Sequence, residues 1–409
     1  MRPSFRLYSR VVAACTLAGL AVVAALNLLV DPLGAYPWAS LKAMEPYRRQ
    51  LMSRPAKAEM LLRNRCDVLL LGTSRVQAGM PVDHPAYGTT NVLNLGLAGT
   101  TLPEIAAVLE FALRHQRPRR VLLGADFFLF SDVRGEGANF DNSRFNPELQ
   151  SFDYHFKNIL GSHMVADSWM LLRQRSRGEP PPKTDRGFLS KSLRPGASQR
   201  ESFVRGVRRF LTEPEVYGAY HYSQERLNIF RQMLRRCRDE QVELLVFIPP
   251  VHALELETVH VAGLWPAFER WKGDLARILA EEGVADTVPF WDFTGYAGFV
   301  GENVPAEGDT TTRMRWYFEN SHFTPALGEL VLNRLLSKGS SAAGALDFGE
   351  RMTTNNAAMH LARLRQERDA YVASHPAEIE WMNRLAAEVK GRGFAWEPAI
   401  EAEGRVGQR

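Results

Sequence analysis

Two short segments, about 250 residues apart, carry the side chains best suited to hydrolytic chemistry. Ser74, in the sequence Gly-Thr-Ser-Arg, directly follows the apolar run Val68–Leu71, so its hydroxyl is predicted at the end of a buried strand. His322, in the sequence Glu-Asn-Ser-His, comes three residues after the acid Glu319. A serine activated by a histidine that an acid orients is the arrangement of serine hydrolases. The two segments therefore predict a nucleophile, a base and an orienting acid.

Two further residues bear on this chemistry. Gly99 follows the second apolar run, and its backbone N–H, together with that of Ser74, is a predicted oxyanion donor, since glycine permits a close approach. Asp292 ends the fifth apolar run and is the alternative to Glu319 as the acid that orients His322. Both assignments depend on the strands ending at one edge of a sheet.

Four more polar residues lie near strand ends and are candidates for substrate contact. They are Arg75, Asn94, Asp126 and His252. A structural role is the alternative for two of them: Asp126 could cap a turn, and His252 could be a loop histidine. No metal ligand set and no organic cofactor motif is predicted.

Five short apolar runs, each bounded by glycine, proline or charge, are predicted to be buried parallel strands. They are residues 68–71, 91–95, 120–124, 243–248 and 288–291. Between them, amphipathic patterns predict helices at about 103–114, 223–240 and 264–282. Alternating strands and helices indicate an α/β fold with a doubly wound, mostly parallel five-stranded sheet, in which ligands bind outside the carboxyl ends of the strands.

Two regions depart from this alternation. Residues 131–222 are predicted to form an insertion or lid, because so long a connection is seldom a plain loop. A small-residue linker, 339–344, precedes two predicted helices that form a C-terminal appendage, at 358–372 and 377–390. The predicted domains are an anchor at 1–31, a linker and helix at 32–65, the α/β domain at 66–338 and the appendage at 345–409.

The N-terminus carries a twenty-residue apolar stretch, Val11–Val30, which at helical rise spans roughly 30 Å of hydrocarbon. Arg2, Arg6 and Arg10 precede it, and the next basic residue is Lys42. This asymmetry predicts a cytoplasmic N-terminus, a single-pass anchor in the inner membrane and a periplasmic bulk of the chain. A cleavable signal peptide is the alternative, although the stretch exceeds the usual apolar region of such peptides.

Composition limits the classes of protein and of partner that remain possible. The chain has 409 residues, 45% of them hydrophobic, so it can bury a sizeable core. Its formal net charge of +4 is mild and its basic residues are scattered, so nucleic acid is not an expected partner. The three cysteines, Cys15, Cys66 and Cys237, exclude a disulfide scaffold.

The segments around Ser74, Gly99 and His322 resemble the motifs of the SGNH/GDSL hydrolase superfamily. Gly-Thr-Ser resembles the nucleophile block, the glycine-containing loop after the second run resembles the oxyanion block, and Glu-x-x-His resembles the family's Asp-x-x-His block. Within that superfamily, the chain resembles membrane-anchored proteins of alginate O-acetylation and teichoic-acid D-alanylation. The resemblance covers about residues 66–336 and implies an SGNH/flavodoxin-like sheet.

The chain departs from this family at two positions. The family's oxyanion asparagine after the third strand has no counterpart, and Asn139 or Asn142 are the alternatives for that donor. Glu319 stands where aspartate is usual, so its reach toward His322 is one methylene longer.

Together these features predict an extracytoplasmic serine acyl esterase or O-acyltransferase that acts on an acylated or acyl-accepting cell-envelope glycan. The alternative, favoured by the missing asparagine, is a catalytically weak SGNH-like accessory protein that binds a glycan or a membrane acyltransferase.

Overall fold

The structure is a computed structural model that describes residues 4–48, 52–181, 186–189, 196–336 and 348–393. The predicted linker at 339–344 lies outside the described residues, as do the first three residues and residues 394–409 of the predicted appendage.

The helices are numbered in chain order. They are α1 (Ser4–Val30), α2 (Glu45–Arg48), α3 (Arg54–Arg63), α4 (Ser74–Gly79), α5 (Leu102–His115), α6 (Ser151–Leu160), α7 (Ser162–Ser176), α8 (Gln199–Thr212), α9 (Gln224–Asp239), α10 (Ala253–Val261), α11 (Trp265–Glu281), α12 (Pro325–Leu336), α13 (Ala357–Ser374) and α14 (Pro376–Gly391). The strands are β1 (Val68–Leu71), β2 (Val92–Asn94), β3 (Arg120–Gly124), β4 (Glu243–Ile248), β5 (Phe290–Asp292) and β6 (Glu350–Arg351).

The chain divides into two compact units. The first comprises Met1–Asn64 and Ala138–Gly187, and the second comprises Arg65–Gly137 and Phe188–Arg409. Much of the predicted insertion, including α6 and α7, therefore groups with the N-terminal segment, whereas α8 remains with the α/β part of the chain.

The second unit is built on a mixed α/β arrangement around a six-stranded sheet with the order β2-β1-β3-β4-β5-β6. Strands β1 to β5 are parallel, and they coincide with the five predicted apolar runs to within two residues. The predicted strand number is wrong, because β6 adds an antiparallel edge strand beside β5. This strand is two residues long and consists of Glu and Arg, so it has no apolar run that sequence could reveal.

Buried side chains explain why these segments form the sheet core. All four residues of β1 are buried, as are the last five of β4, so both strands are covered on two faces as parallel strands require. Helix α5 begins where Thr101 accepts a hydrogen bond from the Glu104 N–H, and its apolar face is buried.

The C-terminal helices pack against the α/β core of the second unit. Helix α13 packs against α11, and α14 packs against α8 and α10. His360 of α13 contacts the carboxylate of Asp292 at the end of β5, with 2.8 Å between Nε2 and Oδ2. The two helices are therefore part of this unit, with the bounds predicted to within two residues.

Candidate active site

Ser74, His322 and Glu319 form a continuous chain of polar contacts in the second unit. Ser74 Oγ lies 2.8 Å from His322 Nε2. On the other side of the ring, His322 Nδ1 contacts Glu319 Oε1 directly. An acid on Nδ1 fixes the tautomer that leaves Nε2 able to accept the serine proton. The three residues thus have the geometry of a hydrolytic triad.

Ser74 is placed by the junction between β1 and α4. It is the first residue of α4, and Thr73 caps the helix by accepting a hydrogen bond from the Arg75 N–H. At the other end of this short helix, the Asn94 side chain donates to the carbonyls of Val76 and Met80, 2.9 Å away in each case. Both ends of α4 are therefore fixed to residues that follow or end strands β1 and β2. This attachment to the sheet orients the Ser74 side chain.

His322 is placed by a tight turn that precedes α12. The carboxylate of Glu319 accepts hydrogen bonds from the backbone N–H groups of Ser321 and His322, both at 3.0 Å. The same carboxylate that contacts the imidazole therefore also shapes the turn. An acid and a histidine three residues apart can meet in this way only because the backbone between them folds back.

A close approach between α4 and α12 brings the two segments together. A Cβ built on Gly328 of α12 would lie 1.8 Å from the carbonyl oxygen of Gly79, the last residue of α4. A Cβ on Gly79 would in turn lie 2.2 Å from the ring of Phe323, the residue after His322. Glycine at both positions is required for this packing, because any side chain would force the helices apart.

A buried arginine links the backbone segments on either side of the site. Arg75, next to Ser74, donates from Nε to both the carbonyl and the hydroxyl oxygen of Ser321, next to His322, at 3.1 Å. Its other nitrogens pair with Asp126 Oδ1 at 2.5 Å and Glu255 Oε1 at 3.1 Å. Burial alone would lower the pKa of Arg75, but Asp126 and Glu255 raise it above its usual value.

The two carboxylates of this cluster hold further parts of the site. Asp126 accepts the Thr73 hydroxyl hydrogen bond at 2.6 Å. Glu255 accepts hydrogen bonds from the Tyr217 hydroxyl and from the Asn320 amide. Burial raises the pKa of Glu255 to about 7, with Arg75 acting in the opposite direction. The cluster therefore fixes the residues adjacent to Ser74, His322 and Glu319.

A cavity of about 280 Å³ opens at Ser74 and His322. Its described lining combines apolar side chains with two arginines, Arg134 and Arg209, and includes Gly99 of the predicted oxyanion loop. Arg209 pairs with Glu213 at the surface. The cavity can hold part of a small organic ligand, and its cationic lining favours negative charge.

Arg134 is the most unusual residue of this lining. It is only 8% exposed, and its pKa is lowered by burial. Its Nη1 donates to the Glu215 carbonyl at 3.1 Å, while its Nε has no hydrogen-bond partner among the described residues. A Cβ on Gly99 would lie 3.8 Å from its Nη2, which places the guanidinium beside the predicted oxyanion loop.

Asp292, the alternative acid, lies in a different cluster. It contacts Lys272 at 2.6 Å and Thr294, in addition to His360. Burial alone would raise the pKa of Asp292, but Lys272 and His360 hold it below its usual value. Asp292 therefore joins β5 to α11 and α13, and Glu319 is the acid that contacts His322.

The four predicted substrate contacts are all buried within the protein and none lines the cavity among its described residues. They are Arg75, Asn94, Asp126 and His252. Arg75, Asn94 and Asp126 hold α4 and the turn that carries His322 through the hydrogen bonds described above. His252 accepts a hydrogen bond from the Leu254 N–H and donates to the Glu302 carbonyl. Burial lowers its pKa to about 4, so it is a neutral helix cap. All four residues therefore make contacts within the protein.

Sequence reasoning missed several residues of the site. Asn139 and Asn142, the predicted alternatives for the missing donor, belong to the first unit, whereas Arg134 lines the cavity. Glu255, Asn320 and Arg134 are single polar residues in loops or at a helix start, where no periodicity marks them. The only available signal was the position of Glu255 shortly after β4, on the edge of the sheet where Ser74 also lies.

Within the described ranges, no group of three or more histidine, cysteine, aspartate or glutamate residues is placed to hold a metal ion. Neither a scan against protein-family models nor a search of curated proteins found a match to this sequence.

Proposed function

We propose that this protein is a serine acyl esterase or O-acyltransferase, related to the SGNH/GDSL hydrolases, that acts outside the cytoplasm on a cell-envelope polysaccharide. The observation that carries the proposal is the contact of 2.8 Å between Ser74 Oγ and His322 Nε2, with Glu319 on the opposite ring nitrogen. A histidine in this position is within reach to act as a general base.

In the first half of the reaction, Ser74 Oγ bonds to the acyl carbonyl carbon while its proton moves to His322 Nε2. The tetrahedral intermediate then expels the alcohol, which takes that proton from His322, and an acyl-serine remains. In the second half, water or a sugar hydroxyl loses a proton to His322 and attacks the acyl carbon. Ser74 leaves with the proton, which completes either hydrolysis or transfer.

Three donors support the negative charge of the intermediate in this proposal. The backbone N–H of Ser74 lies at the start of α4, and Gly99 belongs to the cavity lining. We infer that the Arg134 guanidinium takes the place of the asparagine that the family motif would supply. An arginine at this position provides charge as well as hydrogen bonds.

The topology of the second unit supports the relationship to SGNH hydrolases. Strands β1 to β5 are parallel, and Ser74 follows β1, which lies between β2 and β3 in the sheet. Doubly wound sheets bind their ligands at the carboxyl ends of their parallel strands, which is where the proposed nucleophile lies.

Helix α1 supports a location at a membrane. Residues Phe5–Val30 are long and apolar enough to cross one, a property that signal sequences share. The Asn27 side chain of α1 is buried, donates to the Ile159 carbonyl and accepts from the Ser168 hydroxyl, both at 2.9 Å. A segment destined for removal has no need of such bonds, so they favour a retained anchor.

The test is covalent labelling of the purified full-length chain with a fluorophosphonate, together with hydrolysis of p-nitrophenyl acetate. We expect labelling at Ser74, with both activities lost in Ser74→Ala and in His322→Ala. Ser176→Ala, which removes an exposed hydroxyl of the first unit, is the matched control and should leave both unchanged.

Absence of labelling in protein shown to be folded would overturn the enzymatic proposal. That result would instead favour the accessory function, in which the cavity binds a glycan or a membrane acyltransferase without turnover. Turnover of an acetylated oligosaccharide by the wild type distinguishes the two, because Ser74→Ala would bind that oligosaccharide under either proposal but only the enzyme releases its acetyl group.

A further inference from the structure

The last two turns of α1 differ from the rest of the helix. Residues 5–22 are exposed throughout, whereas from Val23 onward most residues are partly or fully covered by the protein. The covering helices are α6 and α7, which pack against α1. The buried Asn27, hydrogen-bonded to both of these helices, fixes the depth at which they attach.

This attachment depth has a physical consequence if α1 spans a bilayer. The apolar stretch Val11–Val30 is about as long as the hydrocarbon core is thick, roughly 30 Å. Asn27 then lies only about 4.5 Å from the end of the span, on the basis of helical rise. Helices α6 and α7, which contact α1 around Asn27, then lie at the level of the membrane interface.

The outer surfaces of these helices are aromatic. Phe152 and Phe156 of α6 are 76% and 54% exposed, and their rings stack with centroids 6.0 Å apart. Trp169 of α7, the residue after the one that bonds Asn27, is 63% exposed, and Met170 beside it is also exposed. Several large exposed aromatic residues on neighbouring helices mark an interaction surface, because their exposure to water is unfavourable.

A fourth exposed aromatic residue belongs to a segment that is linked to α6. Trp38, which is 80% exposed, lies in the loop after α1, and its ring contacts that of Tyr36. The Tyr36 hydroxyl bonds to His155, the residue before Phe156 on α6. Trp38, Phe152, Phe156 and Trp169, which we call the aromatic surface, therefore belong to elements joined to one another and to the end of α1.

We propose that the aromatic surface of the first unit inserts into the lipid interface of the membrane that α1 spans. The proposal rests on the membrane location of α1 but not on the enzymatic activity. Tryptophan and phenylalanine partition to this zone, and a helix pair that dips into it holds the unit at a set depth and orientation. A single spanning helix alone would leave the unit free to rotate about its axis.

The experiment uses the full-length chain in phosphatidylcholine vesicles that contain a phospholipid with a diazirine in its acyl chain. After photolysis, labelled peptides are identified by mass spectrometry. We expect labels on α1 and also on the peptides that contain Phe152, Phe156 and Trp169. In Phe156→Glu, labelling of the α6 peptide should fall several-fold while α1 labelling is unchanged, because a charged side chain withdraws the helix from lipid.

The control is Asp153→Asn, an exposed change on the same helix that should leave both labels unchanged. Labels on α1 alone would overturn the proposal, whether the aromatic surface then faces water or another protein. In that case, cross-links between copies through α6 would identify a second chain as the partner of this surface. An unlabelled α1 would refute the membrane span itself. Fluorophosphonate labelling of the same samples reports on the active site independently.

Discussion

The carboxylate of Glu319 has two tasks, since it contacts the imidazole of His322 and accepts the backbone N–H groups of the turn. A side chain one methylene longer than aspartate can do both because the turn folds back beneath it. Glu319 therefore makes the contact with His322 Nδ1 although its side chain is longer than an aspartate.

We expect Glu319→Gln to lower kcat about 100- to 10,000-fold, because the amide can hold the turn but cannot stabilise the imidazolium or enforce the productive tautomer. Hydrolysis of p-nitrophenyl acetate measures the loss. Asp292→Asn is the comparison: it should lower the free energy of unfolding by about 3–5 kcal/mol, by leaving Lys272 without its buried partner, and leave the kcat of folded protein near wild type. The reverse pattern would make Asp292 the orienting acid.

Arg134 is predicted to act on the transition state. Arg134→Met should lower kcat about 100- to 1,000-fold with a smaller change in KM, as expected for one lost oxyanion donor. Arg134→Lys should restore part of the rate, because it keeps the charge without the planar fork. Arg209→Met, at the other cationic residue of the cavity, is the control and should change kcat less. A raised KM with unchanged kcat in Arg134→Met would assign Arg134 to ground-state binding instead.

His252 gives the protein a specific dependence of stability on pH. Its pKa is about 4 in the folded state because it is buried, against an ordinary value near 6.5, so the unfolded chain binds the proton first. The contribution of His252 to stability is complete above pH about 6.5 and is lost as pH falls toward 4, by about 1.4 kcal/mol for each pH unit.

We expect His252→Asn, which keeps a capping side chain, to remove this dependence. Urea unfolding at several pH values gives the difference between wild type and variant. That difference should shrink steadily between pH 6.5 and 4, and a constant difference would contradict a buried, neutral His252.

Among the elements, α8 meets the turn that carries Glu319 and His322 at a glycine, Gly206. A Cβ on Gly206 would lie 1.9 Å from Asn320 Oδ1 and 3.1 Å from Glu319 Oε2. Asn320 cannot move aside easily, because its amide is bonded to the buried Glu255. Helix α8 therefore touches the turn at the one place where a side chain would displace it.

We predict that Gly206→Ala lowers kcat at least about tenfold, since a 1 Å shift of a catalytic group can cost more than that. Gly273→Ala in α11 is the matched control, because open space surrounds that position. The control should gain about 0.5–1 kcal/mol of stability, as alanine replaces glycine within a helix, and should keep full activity. Equal activity in both variants would show that α8 does not hold the turn.

The elements also show what sequence can reveal. Apolar runs and amphipathic periods gave β1 to β5 and the helices α5, α9, α11, α13 and α14, because burial selects those patterns. Helix α8 was missed although Phe203, Val207, Phe210 and Leu211 recur at helical spacing. The apolar face of α8 repeats at the same helical spacing as that of α9, which the sequence does reveal, so the signal for α8 is present in the sequence. Strand β6 was missed because its two residues pair through the backbone alone.

For the whole molecule, the contact of Ser74, His322 and Glu319 could be predicted from residue types in two short segments, whereas the residues that support it could not. Arg75, Asp126 and Glu255 come from three separate segments, and nothing in their local sequence shows that they meet. The division of the insertion between two units likewise depends on packing with the N-terminal segment. Single polar residues that meet only in the folded chain produce no periodic pattern in the sequence, so their contacts cannot be predicted from it.

The bond between Arg75 and Ser321 joins residues 246 positions apart. Ribosomes deliver the chain from its N-terminus at about 5–20 residues per second, so Ser74 precedes its base by roughly 12–50 s. Throughout that interval the serine has neither histidine nor acid and stays an ordinary alcohol. The proposed triad is therefore incomplete until about four-fifths of the chain has been made, and a truncated chain released before that point lacks the proposed base of Ser74.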